Sequence, residues 1–111
     1  MRRPSVGEMR HRVEIGRYME RKNEWGDPVE PQWEPVAKSW ARVRALSGTQ
    51  YFAAQQTVDQ SDHAFDIHWR RDIAQGMVIR YDGREFAIQA SLDLEGRREW
   101  LQLISKEVRP A

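Results

Sequence analysis

The decapeptide Ile79-Arg80-Tyr81-Asp82-Gly83-Arg84-Glu85-Phe86-Ala87-Ile88, IRYDGREFAI, decides the fold class. A two-residue Asp-Gly turn separates two runs in which apolar and polar residues alternate. That is the strongest short-range signal for a β-hairpin, because both turn positions need positive φ and Asp-Gly tolerates it. Met77, Ile79 and Tyr81 share one face before the turn, and Phe86, Ile88 and Ala90 continue it afterwards.

The same period extends in both directions. Downstream, SLDLEGRREW (91–100) is a connection with Gly96 at a position needing positive φ. WLQLISKEV (100–108) then sets Leu101, Leu103 and Ser105 against Trp100, Gln102, Ile104 and Val108. Upstream, HAFDIHWR (63–70) is a strand with His63, Phe65, Ile67 and Trp69 inward. VAKSWARVRAL (36–46) places Ala41, Val43 and Ala45 on one face and Trp40, Arg42 and Arg44 on the other. Residues 9–19 alternate as a half-buried strand. Within SGTQYFAAQQTV (47–58), Ser47 or Thr49 can cap a helix of two or three turns.

Two segments break the pattern. Residues 1–8 have no period and read as an arm. Residues 20–35, ERKNEWGDPVEPQWEP, hold three prolines and one glycine, which argue against a central strand or helix interior. They read as a long loop that bears Trp25 and Trp33 for a functional purpose. The sum is an all-β chain: a small antiparallel β-barrel of about six strands, with one short helix and a long loop at 20–35. The 111 residues make one domain. Its core should contain Val13, Ile15, Val43, Phe65, Ile67, Ile79, Phe86, Ile88, Leu101 and Leu103.

Composition narrows the function. The chain has no cysteine, which removes disulfides, thiolate chemistry and cysteine-ligated zinc. His63 and His68 point to opposite faces of their strand and cannot share a metal. Asp66 and His68 share a face, but no serine lies near enough in sequence to complete a catalytic triad. No phosphate loop, calcium loop or metal signature is present, so neither a cofactor nor a metal is expected and the chain does not read as an enzyme. No run of 18 apolar residues or signal-peptide core occurs, so no membrane role is expected and the chain is assigned to the cytoplasm or an assembly built there.

Charge is abundant and nearly balanced, with a formal net of +1. Local clusters matter more. The segment KSWARVR (38–44) interleaves Trp40 with Lys38, Arg42 and Arg44. Such a face could stack bases and hold phosphates. It equally suits a protein interface, where Arg and Trp are the usual anchors, or a plain solvated face.

Taken in order, the pieces GEMRHRVEI (7–15), EWGDPVEPQWEPVAKSWARVRALSG (24–48), DHAFDIHWRRDIAQGMVIRYDGREFAI (62–88) and SLDLEGRREWLQLISKEV (91–108) resemble the tailed-phage head–tail joining proteins, the head completion or stopper proteins of the connector. Trp69 departs from the pattern, where an aliphatic residue or tyrosine is commoner. The resemblance implies a structural protein without catalytic residues. It implies a ring of about six or twelve copies that closes the DNA-filled head and joins it to the tail. A portal or adaptor protein would lie above, a tail protein below, and packaged DNA could touch the channel non-specifically. The setting would be the virion of a phage, prophage or gene-transfer particle, with the host cytoplasm during assembly. Trp25, Trp33, Trp40, Arg42 and Arg44 are the expected oligomer and partner contacts, with Trp33 folding back on its own domain. Trp25 is expected to be mobile in the free protein and buried in the ring. Glu24, Asp27, Glu30 and Glu34 would then face Arg42 and Arg44 of a neighbour. The alternative is a small β-barrel that binds nucleic acid through residues 38–44.

Overall fold

The computed structural model describes residues 9–46 and 62–108; the expected arm over 1–8 and helix over 47–58 lie outside them. Six strands form: β1 (His11–Lys22), β2 (Pro28–Ala45), β3 (His63–His68), β4 (Val78–Tyr81), β5 (Arg84–Asp93) and β6 (Trp100–Val108). One 3-10 turn, Leu94–Gly96, bridges β5 and β6. The Asp-Gly hairpin is built as read, with Tyr81 opposite Arg84 and with Asp82 and Gly83 at φ 54° and 73°.

All neighbouring strands run antiparallel in the order β1-β2-β3-β6-β5-β4, and β4 returns to β1. The hydrogen-bonded ring closes through a short seam, where Glu14, Ile15 and Gly16 face Arg80, Ile79 and Val78. Phe65, Phe86, Ile15, Ile67, Ile79 and Leu103 fill the interior with no exposure. Each such side chain contributes roughly 1.5–3 kcal/mol by leaving water. Val43 is only half-buried, packing on the cluster's margin, while Ala41 and Ile73 join the core. Phe65 and Phe86 meet edge to face, with centroids 4.9 Å apart.

The architecture expected from sequence is corrected. It is not a simple barrel carrying a loop at 20–35: that stretch is strand on both sides of a tight turn. Beyond Gly16, residues 17–22 pair only with 28–34, so half of the longest hairpin leaves the ring as a two-stranded ribbon. The molecule is accordingly elongated, 51 × 26 × 25 Å. Among the described residues the fold is therefore a six-stranded antiparallel sheet, with a short closing seam and a projecting ribbon.

The prolines misled because their sites were unknown. β2 joins β3 only through Arg42 to Ala45, so from Pro28 to Ala41 its second edge carries no strand among the described residues. An edge strand loses no ladder hydrogen bond to a proline whose ring faces outward, and prolines there also block pairing with other chains. Pro31 lies in a register shift, between the pairs Met19–Gln32 and Arg21–Val29, and a second shift leaves Val36 as the extra residue of β2. Such bulges increase local twist and bend the strand, which helps carry the ribbon away from the ring.

Candidate interaction surfaces

The ribbon ends in a turn held by one side chain. Asn23 Oδ1 accepts the backbone N–H of Trp25 at 3.0 Å and of Asp27 at 2.9 Å. The Asn23 carbonyl accepts from Gly26, whose φ of 83° suits the glycine placed there. Asn side chains favour such turns because they copy a backbone acceptor two residues on. Trp25 is therefore carried on a hydrogen-bonded turn and is 77% exposed. Met19 and Val29 extend the exposed apolar surface down the ribbon.

Trp33 is used within the chain. It opposes Tyr18, with ring centroids 5.1 Å apart, and its indole N–H donates to Glu14 Oε1 at 2.9 Å. The Arg80 guanidinium lies 3.8 Å from the centre of its ring, a cation–π contact. Gly16 makes this possible: a Cβ there would come within 2.7 Å of the indole. Arg80 also donates to the Tyr18 hydroxyl at 3.0 Å and to Glu85 at 3.2 Å, and Tyr18 donates to Glu85. The hydrogen bond to Tyr18 outweighs the desolvation of the guanidinium and, with a smaller contribution from Glu85, raises Arg80 above the ordinary arginine pKa. This cluster clamps the base of the ribbon onto β4 and β5.

The expected neighbour-facing cations are also used at home. Asp66, fully buried, accepts from Arg42 Nε at 2.7 Å and from Arg44 Nε at 3.1 Å. Cross-strand register dictates this, since Arg42 sits opposite Asp66. Arg42 is only 8% exposed. Asp66 of the same chain thus holds both guanidiniums, while the Arg44 side chain stays 26% exposed. Glu34 is likewise held by Arg17 at 2.7 Å. Of the three cations in 38–44, Arg42 and Arg44 share the single carboxylate of Asp66, and Lys38 has no ion pair among the described residues. The Asp66–His68 pair does not form as a unit either, because His68 stacks on Trp100 with centroids 4.4 Å apart.

Trp40 is half exposed, and the Arg12 guanidinium opposite it lies 5.4 Å from its ring. Around Trp40 runs an open groove lined by Met9, Arg12, Lys38, Ser39 and His68. Arg12 and Lys38 carry no ion pair among the described residues. Alternation predicted the outward face of Trp40. It missed Arg12, Tyr18 and Arg80, whose roles depend on which strands become neighbours. Gly16 carried a usable signal, because glycine inside a strand marks close approach of another group. Among the described residues no cluster of His, Asp or Glu is placed to hold a metal ion.

The family model described as phage head completion protein matches residues 4–108. The solution structure of protein SF1141 from Shigella flexneri 2a is similar, with a TM-score of 0.75 at 20% identity, covering 97% of this chain and 100% of that one. A chain of the virion of a native gene transfer agent particle gives a TM-score of 0.63 at 17% identity, covering 96% and 98%. At these identities both likenesses show the fold alone. No curated protein matches the sequence.

Proposed function

The chain belongs to the phage head completion protein family and is a structural component of the phage head–tail connector rather than an enzyme; on that premise we propose that it works as a ring of copies. The ring closes the DNA-filled head, contacts a portal or adaptor protein on one side, and receives a tail protein on the other. Assembly takes place in the host cytoplasm, and the finished protein resides in the particle, which belongs to a phage, a prophage or a gene-transfer agent. The single domain supplies two parts for this work. The sheet ring with its buried core is a rigid body, and the ribbon presents Trp25 far from it.

One observation carries the reading: a large aromatic side chain, 77% exposed, is displayed on a turn fixed by two Asn23 hydrogen bonds. An ordered, exposed Trp suits a partner contact, because little freedom remains to be lost on binding. Trp and Arg dominate the energetics of protein interfaces.

Electron microscopy of particles made without this protein tests the proposal. DNA-filled heads and unattached tails are expected. Joined, infectious particles would overturn it. Counting copies per particle by quantitative mass spectrometry tests the ring, and a single copy would refute it.

A further inference from the structure

We propose that the ribbon tip of one copy docks into the Trp40 groove of the next copy, and that this contact propagates the ring. The inference rests on the ring reading above and names the surfaces that would make it. The end of the ribbon, residues 20–30, carries Glu20, Glu24, Asp27 and Glu30 against Arg21 and Lys22, and is net acidic. Glu24, Asp27 and Glu30 have no ion pair among the described residues. The groove is the complementary site. Its cations Arg12 and Lys38 have no ion pair there either, and Met9, Trp40 and His68 offer a surface for an indole. Charge complementarity of this kind selects partner and orientation.

Length excludes the chain's own groove, and the complementary charge of the two patches points to a second copy. The thirteen residues from Pro28 to Trp40 lie in one strand, and the twelve steps between them span about 40 Å at the usual rise. A hydrogen-bonded ribbon cannot fold back over that distance to bring its own tip to its own groove. The two surfaces are different patches on one molecule, so the contact is heterologous. Repeated, it closes into a ring when the rotation between copies allows. The tip buries Trp25 against Trp40 and Met9, while Glu24 and Asp27 come to Arg12 and Lys38.

The test places p-benzoylphenylalanine at position 25 in otherwise complete particles, which are irradiated, denatured and mapped by peptide mass spectrometry. The benzophenone keeps an aromatic group at the tip and reacts readily with methionine. The expected product is a covalent dimer of this chain, joined from position 25 to the peptide containing Met9 and Arg12 or that containing Lys38 and Trp40. Charge reversal supplies an independent arm: Lys38→Glu lowers the yield of joined particles at least tenfold, and Glu24→Lys in the same chain restores much of it. Cross-links to a portal or tail protein, to another surface of this chain, or to nothing overturn the docking proposal. They leave the ring in place if the copy number per particle exceeds one. A copy number of one refutes the ring itself.

Discussion

Replacing Asp66 by asparagine keeps the shape of the side chain and removes the charge that Arg42 and Arg44 share. Asp66 has no exposure, and the side chains of its partners are 10% and 26% exposed. Removing one member of a buried ion pair costs about 3–5 kcal/mol, because the remaining charge keeps its desolvation penalty without its attraction. Partial solvation of Arg44 places Asp66→Asn near the lower end, about 3 kcal/mol. Set against a total stability of about 5–15 kcal/mol, that is a large share. For a domain of this size it corresponds to a fall of about 12–20 °C in melting temperature. Circular dichroism melts of the purified parent and variant measure it. Arg42→Met should be milder, since Asp66 retains Arg44. If Asp66→Asn melts within about 3 °C of the parent, the pairing contributes little to stability and the reasoning fails.

Four further outcomes follow from the same geometry. Phe86→Ala should lose about 3–5 kcal/mol in urea titration, and an unchanged midpoint would place Phe86 outside the core. Gly16→Ala should cost about 1–3 kcal/mol by pushing the added methyl against the Glu34 backbone carbonyl and the Trp33 indole, with a changed near-ultraviolet dichroism; an unaltered spectrum would contradict the close approach. Arg80→Ala should speed amide hydrogen exchange in residues 17–34 while leaving β3 and β6 protected, and equal acceleration everywhere would deny the clamp its local role. Glu107 is held below its ordinary pKa of 4.5, chiefly by the hydrogen bond from Arg84 and then by that guanidinium's charge. Its contribution is therefore present above that ordinary value and lost as pH falls through the lowered one, so the melting gap between parent and Arg84→Ala should shrink in acid. A gap constant from neutral pH to pH about 2 would refute the pairing.

Alternation exposed most of the core because a strand with one buried face must repeat every two residues. Nine of the ten expected core residues lie in the buried cluster, with Val43 half-buried at its margin. The Asp-Gly turn was legible because its backbone conformation restricts the residues it accepts. The ribbon was not legible. Its prolines forbid a central strand, but they permit an edge strand, and edge status depends on where β3 begins to pair. The second face was missed where both sides of a strand are covered: Ala64 and Ile104 form a second buried cluster across the sheet from Phe65 and Leu103. The partners of Arg42, Arg44 and Trp33 were hidden for one reason. Each lies far away in sequence, and only cross-strand register brings it near.

That register also changes how the near-neutral charge of the chain is to be understood. Much of the opposite charge is spent locally: Arg17 on Glu34, Arg42 and Arg44 on Asp66, Arg70 on Asp72, Arg80 on Glu85, and Arg84 on Glu107. Among the described residues outside those pairs, Glu24, Asp27 and Glu30 lie at the ribbon tip with Arg21 and Lys22 next to them, while Arg12 and Lys38 lie beside Trp40. The clamp at Gly16, Trp33 and Arg80 fixes the base of the ribbon, and its own hydrogen-bonded ladder keeps the tip away from the groove. Opposite charges held apart by about 40 Å lie far beyond the screening length of about 8 Å at physiological salt. They cannot satisfy one another within a copy; in the docking proposed above, a second copy would bring a tip to a groove.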